Sequence, residues 1–466
     1  MLGELIGNIS NVLYTYVLII VLVAAGLYFT FRTRFAQFRL LPEQLRALKE
    51  KPGRGGVSSF QALMVSTASR VGTGNIVGVA TALCIGGFGS VFWMWLIAIL
   101  GAGSAFVEST LAQIYKKKGA TGFHGGPAHY IEAVFHSRIP AVIFSVLLIL
   151  TYGVGFNMLA SYNLQSTFKT YGFYDAEITP WIIGGILAVL VAYCLFGGGK
   201  RLLRITGVLV PVMGILYVLV ALVVVFMNIG LVPGVFARIF REAFDFTAIF
   251  GGFTGSCIMY GVKRGLFSNE AGVGSAPNAS ASAEVAHPVT QGLVQVLSVF
   301  LDTLLVCTAT ALLCLCSGVA PSAEYEGADY VQAAVGSALG DFGPIFITVA
   351  MVLFAFTTLL GNLYYVDKGI FYILGREPSK IMQRVIYIVA SLVVLLGAVL
   401  SAGVLWDLAD VLMGGMTLIN VPVIFILGKY AFRALKDYEK QRKAGIKPTF
   451  RAKDIDLPHQ VDHWQD

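Results

Sequence analysis

The stretch Arg70-Val71-Gly72-Thr73-Gly74-Asn75 interrupts an otherwise apolar run, from about Phe60 to Cys84, with two glycines, a hydroxyl and a carboxamide. In hydrocarbon every backbone N–H and C=O needs a partner, so irregular backbone at membrane depth persists only where protein, water or a ligand takes up the freed groups. Transporters use such breaks: half-helix N-termini face a substrate carboxylate, and unwound carbonyls hold a sodium ion. Small residues also line close helix-packing faces. On this stretch alone the two readings stand level.

Composition supplies the setting. With 57% hydrophobic and 13% charged residues and 52 glycines in 466 residues, and a mean hydropathy of +0.77, the chain lacks the polar surface of a soluble domain. It reads as an all-α polytopic membrane protein. The net charge of +7 is carried in short basic clusters between apolar segments, where lysine and arginine act as topology signals rather than as a nucleic-acid surface. The six cysteines (Cys84, Cys194, Cys257, Cys307, Cys314 and Cys316) lie in or beside apolar runs without metal-ligand partners. They read as small core residues. The first apolar run has no basic stretch before it and no small-residue cleavage site, so it is expected to be a retained helix.

Apolar segments of membrane-spanning length predict eleven transmembrane helices, near 13–31, 60–84, 89–114, 139–170, 180–196, 205–229, 248–265, 289–317, 343–374, 382–401 and 408–432. The basic clusters, such as Lys116 to Lys118 and Lys200, Arg201 and Arg204, follow odd-numbered spans. The bias places the N-terminus outside and the C-terminus in the cytoplasm of a cell (inner) membrane. Ten spans after the first divide into five plus five, and an odd number of helices per half inverts one half against the other. Such an inverted repeat puts a broken helix first in each half. Gly72 to Asn75 is one break, and Gly251-Gly252-Phe253-Thr254-Gly255-Ser256 is the expected second. The expected organisation is an extra N-terminal transmembrane helix (1–31), a basic amphipathic segment on the inner leaflet (32–59), two five-helix repeats (60–229 and 230–432) and a cytoplasmic tail (433–466) that ends in a flexible stretch.

Three motifs in order carry a family resemblance. Gly72-Thr73-Gly74-Asn75-Ile76-Val77-Gly78-Val79-Ala80, Gly86-Gly87-Phe88-Gly89-Ser90-Val91-Phe92-Trp93-Met94-Trp95, and Lys263-Arg264-Gly265-Leu266-Phe267-Ser268-Asn269-Glu270-Ala271-Gly272 with its continuation through Ala279 resemble the alanine or glycine:cation symporters, the sodium:alanine symporter family. The resemblance implies the LeuT-type fold with one extra helix in front, and sodium-coupled uptake of small neutral amino acids. The third motif is expected to be intracellular, with Lys263, Arg264 and Glu270 forming an inward-opening gate.

A zwitterion in a low-dielectric site needs its carboxylate and ammonium paired or hydrogen-bonded. Backbone amides at Gly72, Thr73 and Gly74, at a helix start, suit the carboxylate. Carbonyls near Gly251 and Gly252, with the Thr254 and Ser256 hydroxyls, suit the ammonium. Carried over from the fold, one sodium site joins carbonyls of Ala68, Val71 and Phe354 with the hydroxyls of Thr357 and Thr358, and Asn75 is a candidate ligand for a second sodium. Adjacent threonines in a membrane helix also bond back to the preceding turn. Phe156, Ala160, Thr358 and Asn362 are the remaining pocket candidates. Ala160 and Asn362 stand where alanine-transporting members look to carry glutamine and tryptophan, so a larger or more polar substrate, glutamine or asparagine, is expected unless Phe156, Met158 or Tyr162 fills the space.

Asp302, Glu108 and Arg70 are intramembrane charges. Each is read first as part of a buried pair or hydrogen bond that holds the scaffold. A channel would need a continuous polar path, and an enzyme would need paired acids, a metal cluster or an activated nucleophile; the sequence offers neither. The closer alternative is a proton-coupled carrier of the same fold, with Asp302 or Glu270 titrating.

Overall fold

The structure, a computed structural model, describes residues 2–50, 56–119, 122–197, 199–252, 256–325, 327–457 and 461–465. Among them, eight helices are long and apolar enough to cross a membrane, and a ninth crossing is made by a bent pair. We label α1 (Gly3–Arg32), the bent pair α2 (Ser59–Arg70) and α3 (Gly74–Gly86), α4 (Gly89–Ile114) and α5 (Arg138–Thr170). There follow the shorter apolar α6 (Thr179–Leu195), α7 (Gly199–Met227), and α8 (Val232–Ala243), whose strongly one-sided apolar face marks a surface helix. Next come α9 (Cys257–Asn269) and α10 (Pro277–Ser282). The chain closes with α11 (Pro288–Leu315), α12 (Phe342–Leu374), α13 (Lys380–Val399) and α14 (Ala402–Lys443).

The seventh expected span is relocated. Among the described residues of 248–265, a short helix ends at Gly251 and α9 begins at Cys257; α9 is parted from α10 by a segment in which Glu270, Gly272 and Gly274 all have positive φ. The chain motif from Lys263 to Ala279 is therefore the broken helix itself, not a loop between helices. Its polar residues lowered the apolar count there, and the window slid towards the N-terminus.

α4 is the most enclosed span, with 72% of its apolar window buried. Close approach of small residues puts it there. A Cβ on Gly261 of α9 would sit 2.6 Å from the Ser90 carbonyl, and one on Gly265 would sit 2.5 Å from Ile97. On another side of α4, a Cβ at Gly26 of α1 would lie 2.6 Å from Leu100. Backbones this close gain dispersion contacts that lipid cannot supply between bulky side chains. α1 also packs on α14 through Tyr28 and Phe29 against Phe425 and Phe432.

The basic segment after α1 folds into two short helices, Ala36–Arg39 and Leu41–Ala47. Gln37 donates to Thr30 and Gln44 to the Gln37 carbonyl, which fixes the pair to the end of α1. Its leucines divide: Leu40 and Leu48 pack inward, whereas Leu41 and Leu45 are exposed, as are Phe35 and Phe38. An apolar outer face flanked by arginines suits an interfacial position.

The tail departs from expectation. Phe450, Ile455, Val461 and Trp464 are buried. The Phe450 N–H donates to the Ala286 carbonyl at 3.1 Å, and Trp464 Nε1 donates to the Gln113 carbonyl at 2.8 Å. Lys116 lies beneath the Phe123 and Trp464 rings, and burial pulls its ammonium down to about 7. Four widely spaced apolar residues hold a segment whose average composition is polar.

Small residues on α9 are thus a packing requirement. Gly261→Val is expected to overpack the α4 contact by about 1–3 kcal/mol and to lower the thermal midpoint of the detergent-purified protein. Gly185→Ala, which meets open space, is expected to leave the midpoint unchanged.

Candidate functional site

α2 starts with a reciprocal capping box between Ser58 and Gln61 and ends at Arg70. The last regular ladder bond is Val71 N–H to the Thr67 carbonyl, at 2.7 Å. The next donor, Gly72 N–H, would serve the Ala68 carbonyl in a continuous helix; it donates instead to Asn75 Oδ1 at 2.8 Å. The chain turns through 54° and resumes as α3. Two glycines are required by neighbours: a Cβ on Gly74 would fall 2.5 Å from the Phe267 ring, and one on Gly72 would collide with the Thr358 side chain.

The second break, Glu270 to Ala276, faces the first. Glu270 holds φ +51° without being glycine, a strained conformation that surrounding bonds must enforce. Those bonds come from α4 and α14. The Gly272 N–H donates to Glu108 Oε1 at 3.3 Å, its carbonyl accepts from Asn420 Nδ2 at 2.9 Å, and Asn420 also donates to Glu108 Oε2 at 2.8 Å. Tyr130 completes the set by donating to Asn420 Oδ1 at 2.6 Å. Glu108 thus holds backbone in place.

Between the breaks lies a narrow cavity of about 10 Å³, close to the space one water needs. It brings together Gly72, Thr73, Gly74, Phe156, Ala160 and Thr358 of the predicted residues, and adds Ser69, Arg70, Leu159, Phe267 and Glu270. Three of its polar groups are buried and incompletely bonded. Arg70 donates through Nη1 to Gln295, but its Nε and Nη2 have no partner among the described residues. Glu270 Oε2 accepts from Ser275, while Oε1 and Thr358 Oγ1 have no partner among the described residues. A cavity that offers a guanidinium edge, a carboxylate oxygen and a hydroxyl is matched to a small molecule carrying both charges. Arg70 and Glu270 were legible as intramembrane charges, but nothing in their spacing aimed them at one cavity.

Other predicted residues lie elsewhere. Gly251 and Gly252 are exposed, and Gly252 and Ser256 line a separate pocket with Gly86, Glu242 and Asp245. Ser256 caps α9 by accepting from the Met259 N–H. Thr254 lies outside the described residues. Asn362 is fully buried behind the cavity, accepting from Ser69 Oγ at 2.6 Å and donating to Asn157 Oδ1 at 2.9 Å. On α12 the threonine pair divides: Thr357 bonds back to the Leu353 and Phe354 carbonyls and touches Met213, whereas Thr358 faces Gly72. Ala68 sits against that part of α12, since a Cβ on Gly361 would lie 2.5 Å from the Ser69 nitrogen and 3.0 Å from the Ala68 carbonyl carbon, whereas buried Val71 lines a separate apolar pocket with Met64, Val210 and Val306. Phe354 and Asn75 are fully buried.

The expected gate is also relocated. Lys263 Nζ lies 2.9 Å from Asp410 and 3.0 Å from the Ser10 hydroxyl near the start of α1, and Arg264 lies 3.5 Å from Asp410. Glu270 instead lines the cavity. From Arg264 a stack leads inward: Trp406 under the guanidinium at 3.9 Å, Phe267 at 4.9 Å from Trp406, and Phe156 at 4.6 Å from Phe267. Lys263 and Arg264 thus lie at the end of the bundle where α1 begins, apart from Glu270.

Two interrupted helices meeting at a narrow cavity with buried charged and hydroxyl groups, inside an apolar bundle, define a secondary transporter. The model of the sodium:alanine symporter family matches residues 1–452. Similar relatives include the amino-acid carrier protein AlsT of Bacillus subtilis, 43% identical over 100% of this chain and 98% of its own. The probable sodium/glutamine symporter GlnT of the same organism is 42% identical over 99% and 96%. The sodium/alanine symporter AgcS of Methanococcus maripaludis is 34% identical over 94% and 98%. Among solved structures, a Na+-coupled sialic acid symporter in a substrate-bound outward-open state matches with a TM-score of 0.50 at 14% identity, over 94% of this chain and 92% of that one. The chain belongs to the sodium:alanine symporter family.

Asp410 pairs with two buried cations, with Asp407 3.9 Å from Lys263 as the second carboxylate, and removing one member of a buried pair costs about 3–5 kcal/mol. Asp410→Ala is expected to lower the thermal midpoint. In a background without the six native cysteines, it is also expected to make Ala160→Cys react faster with a membrane-impermeant thiol reagent than in the parent with Asp410 intact.

Proposed function

We propose that the protein carries a small neutral amino acid across the membrane with sodium by alternating access, within a LeuT-type bundle of eleven spans built as two inverted five-helix repeats behind one extra helix. The observation that carries this reading is the cavity between the two breaks, with Arg70, Glu270 and Thr358 each holding unpartnered polar atoms. The substrate carboxylate is taken by N–H groups at the Thr73–Gly74 helix start together with Arg70. Its ammonium is taken by Glu270 and by carbonyls of the second break. The orientation, N-terminus outside and C-terminus in the cytoplasm of the cell membrane, rests on the basic loops.

Sodium requires hard oxygen ligands. Diversion of the Gly72 N–H leaves the Ala68 carbonyl without its helical donor, and the Thr358 hydroxyl stands unpartnered beside Gly72. These residues fit a sodium ion, with the Val71 and Phe354 carbonyls and, after rotation from its back-bond, the Thr357 hydroxyl. The ion supplies a positive charge that neutralises the region beside the substrate carboxylate.

For the side chain, Ala160 leaves room on α5, and the polar row Ser69, Asn362 and Asn157 runs behind it. Asn157 Nδ2 and Ser161 Oγ, one helical turn apart, are buried without partners. A carboxamide passing Ala160 reaches that row, which favours glutamine or asparagine over alanine. The similarity to a relative named as a probable sodium/glutamine symporter points the same way.

Uptake of labelled glutamine and alanine into proteoliposomes, under an inward sodium gradient and an equal potassium gradient at clamped potential, tests the reading. Accumulation is expected with sodium alone; equal uptake in both salts, tracking a pH gradient, would replace it with proton coupling. Ala160→Gln is expected to weaken glutamine competition by roughly tenfold or more through steric exclusion from the pocket while sparing alanine. Thr358→Val is expected to raise the sodium concentration for half-maximal uptake by roughly tenfold, the effect of losing about 1.4 kcal/mol of binding.

A further inference from the structure

The two broken helices are joined to each other at one end of the bundle. Val57, just before α2, forms a parallel bridge with Ala283, just after α10, and its carbonyl accepts from the Glu284 N–H at 2.9 Å. Ala62 of α2 packs there with Ala283 and Val285 in a small buried cluster of its own. Asp410 lies near the start of α14, and this junction lies by its other end, where Phe450, beyond α14, bonds Ala286.

Side chains from the end of α4 hold α10 in this position. Gln113 Nε2 donates to the Ser280 and Ala283 carbonyls, and Lys116 Nζ donates to the Ala283 carbonyl at 3.0 Å. The tail covers these bonds. After α14 ends, Gln441 clasps Thr449 through its N–H and its carbonyl, at 2.9 and 2.8 Å, and Arg433 donates to the Ile455 carbonyl at 3.0 Å. The Phe450 ring lies 5.2 Å from His287 and 5.3 Å from Trp464. Trp464 accepts from the Ala452 N–H at 2.8 Å, donates to the Gln113 carbonyl, and lays its ring 4.9 Å from the Lys116 ammonium.

We propose that the tail, anchored by Phe450 and Trp464, is a latch that must release before α2 and α10 part at this end of the bundle. Lys116 is fully buried, and Trp464 is one of the two rings over its ammonium. Without that ring water reaches Lys116 and Gln113 and competes for the Ser280 and Ala283 carbonyls, so the bonds that fix α10 lose most of their net worth. The tail joins them through a few aromatic contacts and backbone bonds, and a segment held so locally opens at a fraction of the cost of unfolding the bundle. The bundle then carries a closure at each end of its cavity: Asp410 with the aromatic stack at one, the tail at the other.

The inference rests on the alternating-access reading, but thiol labelling of the detergent-purified full chain needs neither substrate nor gradient, so latch and sodium coupling fail separately. In a background without the six native cysteines, Ala62→Cys reports on the junction and Ala409→Cys, buried beside Asp410, on the opposite end. Trp464→Ala is expected to speed reaction of Ala62→Cys with a water-soluble maleimide by roughly tenfold or more and to leave Ala409→Cys unchanged. Asp462→Ala, at an exposed position of the tail, is expected to change neither. An Ala62→Cys rate unmoved by Trp464→Ala would overturn the proposal, and so would an equal rise at both reporters, which marks general loosening. Should Trp464→Ala fail to fold, an unaltered Ala62→Cys rate in Phe450→Ala overturns the latch.

Discussion

Everything at the centre of this protein follows from the need to give unwound backbone a partner inside hydrocarbon. The two breaks meet that need differently. At the first, the chain supplies its own substitute: Asn75, three residues on, accepts the Gly72 N–H. At the second, the partners are distant in sequence, with Glu108 taking the Gly272 N–H and Asn420 donating to its carbonyl. The first break is therefore free to respond to what binds Asn75. The second is tied to α4 and α14, and moves only with them.

Charge follows the same division. Lys263 and Arg264 face Asp410, which accounts for one end of α9. Arg70, Glu270 and Asp302 lie deeper and form no ion pair with one another; each is held mainly by neutral groups, Gln295, Ser275, and Ser268 with Thr303. Buried charges left in that condition are expensive unless a ligand completes them. On the proposed reading, substrate and ion supply the missing partners, and binding energy goes into closing the bundle.

The first break was legible because two glycines, a threonine and an asparagine stand out against an apolar run, and the membrane class was legible from composition. The second break was misplaced because Gly251 to Ser256 imitates the same chemistry in a short stretch. The break that the structure places opposite the first, Glu270 to Ala276, lies within a motif polar enough to read as a loop. Adjacent threonines posed a different difficulty. Neighbours on a helix point about 100° apart, so one hydroxyl faces Gly72 while the other faces Met213, and spacing cannot say which. Asn362 reads as a pocket residue by position, yet Ser69 and Asn157 claim both ends of its amide. The tail was read by its average, whereas four apolar side chains set its path.

Phe267 ties these parts into one mechanism. It lies against Gly74 of the first break, against Phe156 of α5 and against Trp406, which carries the Arg264 guanidinium. It is also three residues from Glu270, whose strained backbone begins the second break. A shift of α9 away from α14 therefore withdraws the ring from the cavity, parts Trp406 from Phe267 and moves the Glu270 carboxylate together. Packed rings have few alternative arrangements, so the motion is more nearly a switch between two states than a graded opening. The extra helix α1 bears on that switch through Ser10, whose hydroxyl accepts from Lys263 next to the Asp410 pair. Opening the cavity from that side thus requires the aromatic stack and the α1 contact to yield together, which ties the first helix to the packing around the cavity.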